Sequence, residues 1–155
     1  MGVKTILLVD DDETTLIFAR AVMKHLSCPV ELRCVRDGFA AMSYLAGDGE
    51  YSDRKTNPAP DLVLLDLKMP LVDGFEVLEW IRAQPGFAQL PVVVLTGSTY
   101  PPDVARAFQL GASAFVIKVV EFLDFEKCLK NVLERFLMRA VSGGEDLIAA
   151  PNAVR

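Results

Sequence analysis

The sequence predicts a doubly wound α/β fold, in which helices cover both faces of a five-stranded parallel sheet. Short apolar runs rich in β-branched residues alternate with longer stretches of helical periodicity along almost the whole chain. Three of these runs are nearly continuous, as expected for central strands of a parallel sheet, because both faces of such strands are buried. Five strands joined by crossover helices define this architecture.

The predicted strands are, in chain order, residues 5–9, Val30–Val35, Leu62–Leu65, residues 92–95 and Ala114–Ile117. Apolar residues then recur at spacings of three and four, which predicts helices packed on the sheet. These helical stripes are Leu16, Ala19, Met23 and Leu26; Phe75, Leu78 and Ile81; Val104, Ala107 and Phe108; and Phe125, Cys128, Leu129, Val132, Leu133 and Phe136. Gly111 follows the third stripe and predicts a helix end there.

Size and composition exclude several classes of protein. A chain of 155 residues can bury a core without disulfides or a structural metal. The formal net charge of −5 and the absence of a basic run argue against nucleic-acid binding. Three widely spaced cysteines with no C-x-x-C pair predict buried thiols in a reducing compartment.

Targeting signals are absent from the pattern, so we expect a cytoplasmic protein. Residues 1–9 are too short for a signal peptide, and no apolar run approaches the roughly 18 residues of a membrane span. We expect one domain over residues 1–140 with a long polar loop at 47–60. Residues 141–155 contain a Gly-Gly pair and no sustained period, which predicts a flexible C-terminal tail.

Polar side chains follow four of the predicted strands, at the edge of the sheet where ligands of open α/β folds bind. These strand-end residues are Asp10, Asp11 and Asp12 after the first strand, Asp66 after the third, Thr96 after the fourth and Lys118 after the fifth. Each alone is as typical of a helix cap or a solvated charge, and Asp12 is predicted to be either such a cap or a charge that surrounds the site without binding in it. Together at one edge they indicate a functional site.

Their chemistry suits phosphoryl transfer. Neighbouring carboxylates repel one another and favour the capture of a cation, and hard oxygen ligands suit Mg²⁺. A carboxylate beside that metal can act as a nucleophile and form an aspartyl phosphate. The negative charge on the phosphoryl oxygens would be met by Mg²⁺, the Lys118 ammonium and the Thr96 hydroxyl.

Four segments resemble a bacterial two-component response regulator, of the kind that consists of a single receiver domain. They are VDDD at residues 9–12, DLVLLDLKMPLVDGFEVL at 61–78, PVVVLTG at 91–97 and GASAFVIK at 111–118. The resemblance covers roughly residues 4–138 and implies a flavodoxin-like sheet with strand order 2-1-3-4-5. The loop at 47–60 and GFEVLEWIR at 74–82 are similar to stand-alone regulators that serve bacterial phytochrome kinases.

The resemblance also implies a role for individual residues. Asp66 corresponds to the phosphoacceptor and Asp10, Asp11 and the backbone carbonyl of Lys68 to the remaining Mg²⁺ ligands. Thr96 and Phe115 correspond to the switch residues and Lys118 to the lysine that binds the phosphoryl group. Lys68 and Ser98 occupy the positions on which the lifetime of the phosphorylated state depends, and the sequence leaves open whether Lys68 hinders or orients the attacking water.

The turn after Asp66 and the segment after Lys118 carry two further expectations. Pro70 and Gly74 match the turn, and we expect a positive φ at Gly74. The family's lysine is normally followed by a cis proline, whereas Val119 follows Lys118 here. A cis bond to a non-proline residue costs about 3–4 kcal/mol, so we expect a trans bond and a displaced loop.

Apolar residues crowd the start of the last helix and suggest a partner surface. They are Val119, Val120, Phe122, Leu123 and Phe125, more than one core-facing stripe requires. A buried loop would be the simpler explanation. We expect a symmetric homodimer through the fourth helix, fifth strand and fifth helix.

The expected function is therefore that of a phosphorelay switch, in which a histidine kinase phosphorylates Asp66 and protein–protein contacts change. The alternative is a receiver fold used only for docking or dimerisation. Metabolic enzymes fit less well. Asp10 and Asp12 match the D-x-D motif of a haloacid-dehalogenase-type phosphatase only loosely, the G-x-x-x-x-G-K-S/T motif is absent, and the acidic first loop would repel a flavin phosphate.

Overall fold

The sheet is parallel and has the predicted strand order. A computed structural model describes residues 2–118, 121–138 and 148–149. The strands are β1 (Lys4–Val9), β2 (Val30–Val35), β3 (Leu62–Leu65), β4 (Val92–Thr96), β5 (Ala114–Ile117) and β6 (Ile148–Ala149), arranged in the order β2-β1-β3-β4-β5-β6. The predicted order 2-1-3-4-5 is confirmed, and β6 adds a sixth strand that the sequence did not predict.

Within the described part of the chain, five α-helices connect and cover the strands. They are α1 (Glu13–Met23), α2 (Gly38–Ala46), α3 (Gly74–Ala83), α4 (Pro101–Gln109) and α5 (Phe122–Leu137). Helix α4 ends just before Gly111, whose φ of 105° is the left-handed conformation predicted for a helix-ending glycine. The helices alternate between the two faces of the sheet, with α1 packed against α5 and α2 against α3.

The central strands are buried on both faces, which explains their continuous apolar sequence. Leu62–Leu65 and residues 92–95 are completely buried. One core cluster joins β1, β3 and β4 to α1 and α5, and a second joins them to α2 and α3. Removal of this much branched apolar surface from water is the main stabilising term of the fold.

The polar loop at 47–60 is ordered around one arginine. The Arg54 guanidinium donates to the carbonyls of Tyr44 and Leu45 at the end of α2, at 2.8 and 2.7 Å, and to that of Asn57 at 3.1 Å. A short 3₁₀ turn occupies Gly49–Tyr51. The Tyr44 carbonyl also accepts from the Gly47 amide at 3.1 Å, so Arg54 adds to the cap at the end of α2 and joins it to the loop.

Two expectations about the periphery need revision. Cys28 is buried, but Cys34 on the edge strand β2 is exposed and Cys128 is only half-buried, so the prediction of three buried thiols was wrong. Within the predicted tail, Ile148 and Ala149 pair in parallel with Phe115 and Val116 of β5. The domain limit at residue 140 and the flexibility of the remaining tail stay predictions, because residues 139–147 and 150–155 lie outside the described part.

Candidate functional site

The strand register brings the predicted site residues to one edge of the sheet. Val9 of β1 pairs with Leu65 of β3, so Asp10 and Asp66 follow neighbouring strands at the same level. Thr96 of β4 pairs with Ile117 of β5, which places Lys118 one residue beyond. Strand order reverses between β1 and β3, since the chain leaves β1 on one side for β2 and on the other for β3. The site lies at this switch point.

Three carboxylates form the floor of the site. Oxygen atoms of Asp10, Asp11 and Asp66 all lie within 4.8 Å of one another. Asp10 and Asp66 are buried, with 6% and 5% of their surface exposed, whereas Asp11 is exposed. The Asp12 amide donates to Asp10 Oδ1 at 2.9 Å, and this bond fixes the first carboxylate.

Lys118 supplies the positive charge of the site. Its Nζ lies 2.7 Å from Asp10 Oδ2 and 3.7 Å from Asp66 Oδ2. Burial raises the pKa of Asp66 to about 6, and the Asp10 charge adds to this effect while the Lys118 ammonium opposes it. Burial also raises the pKa of Asp10, against the lowering influence of Lys118. Burial therefore disfavours the charged forms of both carboxyl groups, and a second cation bound between them would stabilise those charges.

The donor set fits a hard divalent cation. Asp10 Oδ2 is buried and lies 2.7 Å from the Lys118 ammonium, but among the described residues it accepts no hydrogen bond of good geometry, which leaves lone-pair capacity for a ligand. Three carboxylates offering only oxygen atoms match the preferences of Mg²⁺ or Mn²⁺. The Lys68 amide donates to Asp66 Oδ1 at 3.4 Å, which places the Lys68 backbone beside the same cluster.

The two predicted switch residues are completely buried. Thr96 ends β4, and a hydrogen bond from its hydroxyl lowers the pKa of Asp66. Phe115 packs in β5 with Leu67, Phe75 and Ala107, in a small core cluster beneath the site. A hydroxyl and an aromatic ring thus lie on adjacent strands, and the ring packs against Ala107 of α4.

Asp12 and Gly74 have structural roles. Asp12 caps α1, as predicted, and accepts from the Thr14 amide at 3.1 Å and the Thr15 hydroxyl at 2.9 Å. The prediction of a positive φ at Gly74 was wrong, since among the described residues of this turn it is Leu71 that has one, at 68°. Gly74 is required by close approach, because a Cβ there would lie 2.2 Å from the Asp66 carbonyl oxygen.

The structure describes only some of the apolar residues that follow Lys118, and those it describes differ in burial. Phe125 is buried in the core, whereas Leu123 is 73% exposed at the start of α5. Val119, Val120 and the peptide bond between Lys118 and Val119 lie outside the described residues, so the expected trans bond and displaced loop are not tested.

Sequence reasoning missed one polar network beside the site. Asp103, in the first turn of α4, accepts from the Ser98 hydroxyl at 2.7 Å and from Lys68 Nζ at 3.2 Å. The family resemblance marks Lys68 and Ser98 by their positions, but nothing in the local sequence around Asp103 indicates that it joins them. The contact depends on how α4 packs over the turn that follows β3.

Residues 6–130 match the family model of the response regulator receiver domain, and the chain therefore belongs to that family. Response regulator Rcp1 of Synechocystis sp. is 37% identical over 139 residues, covering 90% of this chain and 92% of the relative. A probable methanogenesis regulatory protein, FilR2 of Methanothrix harundinacea, is 33% identical over 85% of this chain and 83% of its own.

Solved structures agree in fold. The phosphorylated cyanobacterial phytochrome response regulator RcpA superposes with a TM-score of 0.83 at 33% identity, over 90% of this chain and 98% of its own. The Mn²⁺-bound form of Rcp1 gives 0.79 at 36% identity, over 89% and 97%. The bacteriophytochrome response regulator RtBRR gives 0.74 at 34% identity, over 93% and 84%. The resemblance inferred from sequence is confirmed, and the protein is a phosphoryl acceptor of two-component signalling.

Proposed function

We propose that Asp66 is the residue that accepts the phosphoryl group, from a phosphohistidine of a sensor kinase and with Mg²⁺ as cofactor. The observation that carries this assignment is the position of Asp66 at the switch point. It is the buried carboxylate that lies beside Asp10, within 3.7 Å of the Lys118 ammonium and against the Thr96 hydroxyl. Asp10 and Asp11 then serve as ligands and not as nucleophiles.

The transfer is a substitution at phosphorus. A carboxylate oxygen of Asp66 forms a bond to the phosphorus atom as the phosphorus–nitrogen bond of the phosphohistidine breaks. The imidazole leaves with the electron pair of that bond and takes a proton from water. The Lys118 ammonium and the Thr96 hydroxyl are placed to stabilise the negative charge on the phosphoryl oxygens.

Carboxylate oxygens of Asp10, Asp11 and Asp66, with the Lys68 carbonyl, would hold the Mg²⁺. A bound Mg²⁺ neutralises charge on the carboxylates and on the phosphoryl oxygens. The fold keeps the buried carboxylates of Asp10 and Asp66 side by side. This costs free energy, and the bound cation would offset that cost. The raised pKa of Asp66 expresses that cost.

Phosphorylation then acts on Thr96 and Phe115. A phosphoryl group on Asp66 adds charge and acceptor oxygens within reach of the Thr96 hydroxyl. Movement of Thr96 toward it would vacate space on the side of β5, into which the Phe115 ring can turn. Contacts made by α4 and α5 would change as a result, and we take this as the output of the switch.

The wider biological assignments rest on relatives and on surface chemistry. The histidine kinase is proposed to be a bacterial phytochrome, because similar structures are those of phytochrome response regulators. A homodimer through α4, β5 and α5 is supported by the exposed Leu123. Since β6 covers the outer edge of β5, the side chains of α4 and α5 would make that contact.

The remaining assignments concern location and activity. Within the described part of the chain no helix has the length and apolar character needed to cross a bilayer. We propose a cytoplasmic protein that binds neither membrane nor nucleic acid. It catalyses no metabolic reaction, and its chemistry is limited to its own phosphorylation and dephosphorylation.

Phosphorylation by acetyl phosphate tests the assignment of Asp66. Intact mass is measured for the wild type, Asp66→Asn and the control Asp12→Asn, each with Mg²⁺ and with EDTA. We expect one phosphoryl group on the wild type and on Asp12→Asn in Mg²⁺, and none on Asp66→Asn. An adduct that persists in Asp66→Asn would overturn the assignment. No adduct on a folded wild type would favour the docking module.

A further inference from the structure

One ion pair connects the turn after Asp66 to the N-terminal turn of α4. Lys68 Nζ lies 3.2 Å from Asp103 Oδ2, with 64% of the lysine side chain exposed and only 16% of the aspartate. The same Asp103 oxygen accepts from the Ser98 hydroxyl at 2.7 Å. The Ser98 hydrogen bond and then Lys68 lower the pKa of Asp103, so it is ionised at neutral pH.

The Lys68–Asp103 ion pair belongs to a network of polar contacts that connects Asp103 to Asp66 by two routes. The Ser98 amide donates to Thr96 Oγ1 at 3.4 Å, and the Thr96 hydroxyl lies near enough to Asp66 to lower the pKa of that carboxyl group. On the other side, the Lys68 amide donates to Asp66 Oδ1 at 3.4 Å. The acceptor and the N terminus of α4 are therefore linked twice, through the Thr96 side and through the Lys68 side.

Helix α4 depends on such surface contacts for its position. Ala107 is its one fully buried residue, and Val104 and Phe108 are only partly buried against the same core cluster. The Arg106 guanidinium lies over the Phe75 ring at 4.2 Å from its centroid, which ties α4 to α3. The Lys68–Asp103 pair anchors the opposite, N-terminal end of the helix. A helix with so little buried apolar surface can shift when one anchor is lost.

We propose that Asp103 is a positioning residue for the Lys68 ammonium, and that a phosphoryl group on Asp66 competes with it for that ammonium. In the unphosphorylated protein Asp103 holds Lys68 against α4. Phosphorylation draws Lys68 toward the acceptor and releases the N terminus of α4. This inference rests on the proposed function of Asp66, whose regulation it describes.

Charge and flexibility favour the competition. A phosphoryl group carries close to two negative charges, against one for Asp103. Lys68 is two residues from the acceptor, and its flexible four-carbon side chain can turn from one anion to the other. Because the lysine is largely exposed, its pair with Asp103 is weak enough to be displaced.

The first test uses the unphosphorylated protein. Hydrogen exchange is compared for the wild type, Asp103→Asn, Lys68→Met and the double variant. Asparagine can still accept from Ser98, so the exchange of the amides of residues 98–100, 103 and 104 reports the loss of the ion pair. We expect faster exchange in both single variants and no further increase in the double variant. Faster exchange in Asp103→Asn alone would assign the effect to the helix end and overturn the proposal.

The second test measures the competition itself, with beryllium fluoride as the phosphoryl mimic in Mg²⁺ and ¹⁹F NMR as the readout. Asp103→Asn should lower the apparent dissociation constant by about two- to five-fold, the range of an exposed ion pair. In the Lys68→Met background the same change should have no effect. The control Glu79→Gln removes an exposed charge on α3 and should leave the constant unchanged.

The outcomes separate this proposal from the assignment of Asp66. A wild type that binds no mimic and accepts no phosphoryl group would refute the proposed function, whatever the exchange data. A wild type that binds the mimic, with Asp103→Asn equal to Glu79→Gln, would refute the role of Asp103 alone. An equal gain from Asp103→Asn with and without the Lys68 ammonium would also refute it, because the cause would be general repulsion.

Discussion

Lys118 makes its shorter ion pair with Asp10 and not with Asp66. Its Nζ is 2.7 Å from Asp10 Oδ2 and 3.7 Å from Asp66 Oδ2, and only a fifth of its side chain is exposed. One ammonium thus faces two buried carboxylates and lies closer to that of Asp10. Metal binding at Asp10 would leave the ammonium free to serve the acceptor.

Loss of Lys118 should destabilise the metal-free protein. In Lys118→Met the buried Asp10 and Asp66 charges are left unpaired, and we expect a loss of about 3–5 kcal/mol in the free energy of unfolding. Mg²⁺ should recover more stability in this variant than in the wild type. Urea unfolding at pH 7.5 in EDTA and in Mg²⁺ measures both, with the exposed Lys55→Met as control. Equal losses in the two variants would contradict the pairing.

Replacement of Asp66 should raise the free energy of unfolding, in contrast to the loss of Lys118, and the size of this gain should depend on pH. The pKa of Asp66 is raised from 3.8 to about 6 in the folded protein, so the folded state holds this proton more tightly than the unfolded state. The resulting stability is complete below about pH 4 and is lost as pH rises through 6.

At pH 7.5 in EDTA, Asp66→Asn should therefore unfold with a free energy about 2–3 kcal/mol higher than the wild type, since one pKa unit is worth about 1.4 kcal/mol. The gain should shrink steadily from pH 7 toward pH 4. A urea series across this range measures it. A gain that does not vary with pH, or a loss, would show that burial does not control this carboxyl group.

A methyl group at Gly74 should be costly because its nearest neighbours are backbone atoms. A Cβ would meet the Asp66 carbonyl oxygen at 2.2 Å and the Leu67 Cα at 2.7 Å. We expect Gly74→Ala to cost about 2–4 kcal/mol and to slow phosphorylation, because the acceptor backbone must move. In the control Gly86→Ala the added Cβ meets nothing within 4 Å. Equal thermal stability of the two variants would contradict this account.

The rate of phosphorylation should depend on the hydroxyl of Thr96 and not on its methyl group. Thr96→Ala removes the hydroxyl that is placed to donate to the charged phosphoryl oxygens, an interaction worth about 1.5–3 kcal/mol, so phosphorylation by acetyl phosphate should slow by about ten-fold or more. Thr96→Ser keeps the hydroxyl and should remain close to the wild type. Rates from intact mass decide between them. A Thr96→Ser variant as slow as Thr96→Ala would assign the role to packing.

The sequence predicted the parts of this molecule that depend on local pattern. The continuous apolar sequence of Leu62–Leu65 indicated a strand buried on both faces, and it is completely buried. Because parallel strands place their carboxyl ends at one edge, the positions of Asp10, Asp66, Thr96 and Lys118 followed from strand assignment alone. The structure brings these residues together as expected.

Features that depend on packing between distant segments were not predictable in this way. The glycine at 74 was assigned to the wrong cause, because the approach of the Asp66 carbonyl is a tertiary contact with no local signature. Pairing of Ile148 and Ala149 with β5 follows a segment whose composition suggested only a tail. The Asp103 contact with Lys68 joins residues 35 positions apart and depends on the placement of α4.

The central claim is that the phosphoryl group is carried by Asp66, and the most direct test locates it chemically. The wild type is phosphorylated with acetyl phosphate in Mg²⁺ and treated with borohydride, which reduces an acyl phosphate to an alcohol. The peptides are then mapped by mass spectrometry. We predict homoserine at position 66 and unmodified carboxylates at 10, 11 and 12. Reduction at any of the latter three, with residue 66 intact, would contradict the account.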